Sequence, residues 1–177
     1  MQTRFLQKIM RAILLGLLGA FWWISPVHGQ LLKGQKAIEL SFGQTDLGYI
    51  LHGGYSAFLS DTFSLSGIGF FETASPYQLT YKNYGLSILG RYRILSLEDI
   101  LLVTPYAGLE GNLDEISPVG TAYNHSLNYG LQLGLEVEVA LNQRFSFIGT
   151  LHQLLLVKRL IGDQRYDYNL GVRLYLN

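Results

Sequence analysis

The sequence predicts an all-β protein, an eight-stranded antiparallel up-and-down transmembrane β-barrel that follows a cleaved signal peptide. Three observations predict it. The first is the stretch 126–141 (SLNYGLQLGLEVEVAL). Its odd positions, Leu127, Tyr129, Leu131, Leu133, Leu135, Val137, Val139 and Leu141, are all apolar or aromatic, and none of its even positions is a large aliphatic residue. Only a period of two sorts residues this way, so the stretch is a strand with one apolar and one polar face. Soluble strands run about 5–6 residues and a membrane-crossing strand needs roughly 9–11; this one runs sixteen. Small and charged residues on the second face suit a narrow polar lumen, which leaves the apolar face to lipid. The alternative is a long strand of a soluble sandwich or lipocalin-like barrel, with the apolar face turned inward.

The second observation is the N-terminus. Residues 1–11 carry Arg4, Lys8 and Arg11 and no acid, and 12–24 (AILLGLLGAFWWI) is apolar throughout. Val27 and Gly29 then stand at the −3 and −1 positions of a cleavage site before Gln30. This is the layout of a secretory signal peptide. It divides the chain into a signal peptide, 1–29, and a barrel domain, 30–177. The apolar run is shorter than the roughly 20 residues a spanning helix needs; an uncleaved anchor is the other reading.

The third observation is composition. The chain has twelve tyrosines, twenty glycines and no cysteine. Tyrosine sits at membrane–water boundaries, and glycine relieves crowding inside a narrow barrel. The lack of cysteine excludes a lipoprotein anchor, a disulfide framework and thiolate metal sites. Loss of the leader's three bases leaves ten bases and thirteen acids, a net charge of −3. Direct nucleic-acid binding, which calls for a basic patch, is not expected.

The strands follow in order. In 36–43, Ile38, Leu40 and Phe42 alternate with Ala37, Glu39 and Ser41. A short loop, 44–48, leads to 49–59, where Tyr49, Leu51, Tyr55 and Leu59 oppose His52, Gly54 and Ser56. Ser60-Asp61 makes a tight turn. In 62–72, Phe63, Leu65 and Phe71 oppose Ser64 and Ser66, although Ile68 and Phe70 blur the pattern. After a break at 74–76, the strand 77–94 sets Tyr84, Leu86, Ile88, Tyr92 and Ile94 against Gly85, Ser87, Arg91 and Arg93. Residues 95–100 form a turn. In 101–113, Leu101, Val103, Ala107 and Leu109 oppose Thr104, Tyr106, Gly108, Glu110 and Asn112; Pro105 is an objection, because proline removes a ladder donor. The longest loop is 114–125. Strand 126–141 turns at 142–144 into 145–158, a polar loop covers 159–165, and 166–177 closes the set. An even strand number lets the first and last strands pair and removes sheet edges. The connections after strands three, five and seven are mostly the longer ones, as expected of the external side.

Within this frame Glu39, Arg91, Arg93, Glu136, Glu138 and Arg173 fall on the polar face of the periplasmic half. They read as a salt-bridge network that fills the lumen. A gated polar path is the functional alternative, and an open pore is not expected, because eight strands enclose little more than their own side chains. No catalytic, cofactor or metal residues are assigned. His52 and His152 face inward as hydrogen-bonding filler, and no paired zinc histidines or phosphate loop is present. His125 and Ser126 point to opposite sides of an extended chain, a poor catalytic pair, and the protein is not read as an enzyme. Tyr49, Tyr77, Tyr81, Tyr84, Tyr123, Tyr129, Tyr166 and Tyr168 read as an exposed belt towards the external ends, or as an anchor for a protein partner.

Two resemblances add to this. Asn169, Gly171, Leu174 and Leu176 in the closing segment resemble the C-terminal signal read by the bacterial barrel-assembly machinery, although the chain ends on Asn177 and not on an aromatic residue. The opening 32–40 (LKGQKAIEL), the acidic Leu135-Glu136-Val137-Glu138 with Leu141 and Arg144, the segment 158–162 (KRLIG) and the ending 171–177 (GVRLYLN) resemble the TraO family of conjugative-transposon transfer proteins of Bacteroidetes. That resemblance implies a structural, non-catalytic part of a mating apparatus in the outer membrane. Its partners would be lipid, the barrel-assembly machinery and other conjugal transfer proteins, the last held through loops or the periplasmic rim. A generic small outer-membrane barrel for envelope stability, adhesion or ligand binding stays open.

Overall fold

The structure, a computed structural model, describes residues 33–75, 79–118, 124–156 and 164–176. The segment 1–29, expected to be a signal peptide, and Asn177 lie outside them. The strands are β1 (Lys36–Thr45), β2 (Tyr49–Phe58), β3 (Phe63–Ala74), β4 (Leu79–Tyr92), β5 (Leu95–Leu97), β6 (Leu101–Pro118), β7 (Asn124–Ala140), β8 (Phe145–Leu156) and β9 (Gln164–Leu176). Every neighbouring pair is antiparallel, β1 pairs with β9, and β4 pairs with β6. The ring is therefore closed. β5 stays outside it: three residues fold back on β6, with Leu95 opposite Val103. Eight strands make the wall.

The alternation runs opposite to that of a soluble protein. In β7, Leu127, Tyr129, Leu131 and Leu133 are exposed on the outer face, while Asn128, Gln132, Glu136 and Glu138 are buried. The same holds in β1, where Ile38, Leu40 and Phe42 face out and Glu39 and Ser41 face in. A continuous apolar outer band around polar contents is stable only against hydrocarbon. It excludes the soluble arrangement with the apolar face inward.

The structure corrects several boundaries. The region 114–125 is not one loop. Asp114, Glu115 and Ile116 continue β6 opposite Ser126, His125 and Asn124 of β7. The ladder persists because Asp114 finds lumen partners in Tyr81 and Asn128. Arg165 likewise belongs to β9 and not to a polar loop, and it points inward to an ion pair with Glu72. Tyr81 is buried, not part of an exposed belt, because its hydroxyl donates to Asp114 at 2.7 Å. Tyr77 and Tyr123 lie outside the described residues. Ile68 and Phe70 blur the pattern of β3 because they are apolar residues on the lumen face, where Ile68 packs with Leu89 and Tyr106. The 95–100 turn contains β5, and Pro105 sits in β6 opposite Leu135.

Candidate functional site

The side chains that could carry chemistry lie in the lumen, in three layers. The first lies near the end where Lys36 pairs with Leu176. Glu39 comes from the start of β1; Arg91, Glu136, Glu138 and Arg173 come from the ends of β4, β7 and β9. Antiparallel pairing brings all of these positions to one height. Arg173 reaches Glu39 at 2.7 Å, Glu136 at 2.8 Å and Glu138 at 2.5 Å. Arg91 holds Glu39 through two bonds of 2.8 and 2.6 Å and also bonds Ser56 at 3.1 Å. Paired guanidinium–carboxylate bonds of this kind are strong and directional. Tyr175 donates its hydroxyl to Glu138 and packs on Phe58, with ring centroids 5.7 Å apart. Arg93 lies beside this cluster but forms no ion pair among the described residues, and its Nε has no hydrogen-bond partner.

The second layer is central. His52 of β2 and His152 of β8 meet with ring centroids 5.6 Å apart. His152 Nε2 contacts the Asp167 carboxylate, and the Tyr106 hydroxyl lies 3.2 Å from His152 Nδ1. Asn169 donates to Asp167 at 2.6 Å. Two lumen aromatics are seated on glycines. A Cβ on Gly85 would come within 2.3 Å of the Phe70 ring, and one on Gly134 within 2.3 Å of the Tyr106 ring. These glycines serve for space: the wall must lack a side chain where a ring crosses so narrow a lumen. Gly134→Val is expected to destabilise the barrel by about 1–3 kcal/mol through overpacking. Gly111→Val, where an added Cβ meets nothing within 4 Å, is the control. Urea unfolding of the refolded variants measures both, and equal effects would contradict the seating.

The third layer lies towards the opposite end. Arg165 pairs with Glu72 at 2.9 Å and bonds the Tyr81 hydroxyl at 3.2 Å. Glu72 also accepts from Thr45 at 2.6 Å and Asn83 at 3.2 Å. Asn128 donates to Asp114 at 2.6 Å and to Asn112 at 3.0 Å, and Asn112 in turn donates to Glu110 at 3.1 Å. Sequence reading missed this layer, because Asp114 and Arg165 looked like loop residues. The usable signal was parity: both continue the inward-facing series of their strands.

Of the residues read as an assembly signal, Asn169 points inward. Gly171 lies so close to β1 that a Cβ would come within 2.3 Å of the Leu40 carbonyl oxygen. Leu174 and Leu176 alternate with the buried Arg173 and Tyr175 and take the outer face. His125 is half-exposed and lies 3.4 Å from Glu115.

No family model and no curated protein matches the chain. Solved structures do match. The N-terminal β-barrel domain of Pseudomonas aeruginosa OprF is similar with a TM-score of 0.62 and 13% identity, over 81% of this chain and 98% of that one. A major outer membrane protein from Thermus thermophilus is similar with a TM-score of 0.65 and 13% identity, over 80% and 99%. Ail, the attachment invasion locus protein of Yersinia pestis, is similar with a TM-score of 0.56 and 12% identity, over 82% and 100%. At these identities the likeness is one of architecture: the chain has the fold of the small outer-membrane β-barrels.

Proposed function

We propose that the protein is a non-catalytic anchor of the bacterial outer membrane whose barrel is closed and whose loops or periplasmic rim carry its partners. The observation that supports this is the first lumen layer. Five charged side chains from four strands are tied across the interior, and the gap beside them is a cavity of about 10 Å³, at the lower limit of the roughly 10–15 Å³ that a single water needs. Nothing passes through such a layer unless the ion pairs break. The protein, refolded into a planar bilayer, is expected to give no single-channel conductance. Steady ion-selective openings would favour a porin role instead.

The finer reading places the anchor in a conjugative transfer apparatus. It rests on the resemblance of the opening 32–40 and the ending 171–177 to the TraO family. The barrel would be inserted by the barrel-assembly machinery through Asn169, Gly171, Leu174 and Leu176, and would hold other transfer proteins. Deletion in the native host is expected to abolish mating transfer while growth and detergent resistance stay normal, with rescue by complementation. Normal transfer with a leaky envelope would favour the second reading, a housekeeping barrel.

A further inference from the structure

The geometry points to a metal site inside the barrel, in which His52, His152 and Asp167 bind a divalent cation of the zinc class. Three side chains from β2, β8 and β9 bring one ligating atom each to within 4.8 Å of one another. A tetrahedral set with bonds of about 2.0–2.1 Å needs ligand atoms roughly 3.3 Å apart, so modest side-chain rotations close the site. Two imidazoles and one carboxylate are a donor set that suits such ions.

The surroundings fit. Tyr106 sits at His152 Nδ1, which leaves Nε2 aimed at Asp167, and Asn169 holds the other carboxylate oxygen. These are the outer partners that orient metal ligands. A cavity of about 20 Å³ borders His52, His152 and Tyr106. It is large enough for one water, the usual fourth ligand when the protein supplies three.

An independent observation is charge. Among the described residues, seven carboxyl groups and only three guanidiniums are buried. The arginines are engaged with Glu39, Glu136, Glu138 and Glu72. Asp167 is held by an imidazole and an amide, while Glu110 and Asp114 take hydrogen bonds from neutral groups. A divalent cation at the centre offsets part of this excess, where a buried carboxylate without a counter-charge is costly.

The test uses tag-free protein refolded with zinc, so that the closed lumen is no obstacle to loading, and then freed of loose metal on a chelating resin. Folding is checked by heat-modifiable electrophoresis. Wild-type protein and the His125→Gln variant are expected to retain one zinc per chain. His52→Gln and Asp167→Asn, both folded, are expected to retain little. Cobalt in place of zinc is expected to give visible absorption bands in wild type that His52→Gln loses, and zinc is expected to raise the unfolding midpoint of wild type and His125→Gln but not that of His52→Gln or Asp167→Asn. Folded wild type that retains no zinc would overturn the proposal and leave a hydrogen-bonded His–Asp cluster. So would retention that survives His52→Gln and Asp167→Asn but is lost in His125→Gln.

Discussion

Arg173→Met is expected to lower the stability of the refolded barrel by about 3–5 kcal/mol, the usual cost of removing one partner from a buried ion pair. Arg173 is 2% exposed. It bonds carboxylates from two other strands: Glu39 on its neighbour β1, and Glu136 and Glu138 on β7. Without it, Arg91 keeps Glu39 and lies 3.7 Å from Glu136, and Glu138 keeps only the Tyr175 hydroxyl. Methionine preserves much of the volume, so the loss reports charge and not a cavity. Adding Glu138→Gln to Arg173→Met is expected to restore part of the stability, because the orphaned charge is removed. Urea titration of the four proteins in detergent or vesicles gives the coupling directly. A wild-type midpoint for Arg173→Met would mean that the layer is solvated, and the closed-lumen reading would fall with it.

Leu133→Arg is expected to cost about 2–4 kcal/mol, and Val139→Arg only about 0–1 kcal/mol, the depth dependence of a charge on a lipid-facing wall. Leu133 lies midway along β7 on the outer face and is 50% exposed. Val139 lies one residue from the end of the strand, where an arginine can reach the headgroups. The neighbouring Gln132 faces the lumen, so a one-residue error in facing would reverse the logic. Refolding into vesicles with urea titration measures both variants. Equal penalties, or none, would sink the assignment of this face to the membrane.

Much of the wall could be read before any coordinates. The uninterrupted alternation from Leu127 to Val139 names both faces of β7, and Ile38, Leu40 and Phe42 do the same for β1. The reading weakened where parity was masked. Asp114 and Arg165 read as loop residues, because charges next to turn-forming residues look solvated. Tyr81 reads as an outer residue because tyrosine suits an interface as well as a lumen. Ile68 and Phe70 confuse β3 because this lumen also holds apolar side chains, Ile68 packed at Leu89 and the Phe70 ring over Gly85.

By itself the sequence determined which side chains of β1 and β7 share a face, because that depends only on odd or even position along a strand. It determined too that Glu39, Arg91, Glu136, Glu138 and Arg173 share an interior. Which of them touch was decided by the closed ring. Glu39 and Arg173 stand 134 positions apart, and they meet because β1 and β9 pair with Glu39 opposite Arg173. The meeting of His52 with His152, and of Arg165 with Glu72, depends likewise on the stagger accumulated around eight strands. Stagger sets the height of each side chain in the lumen, and no local pattern of residues encodes a sum taken around the whole barrel.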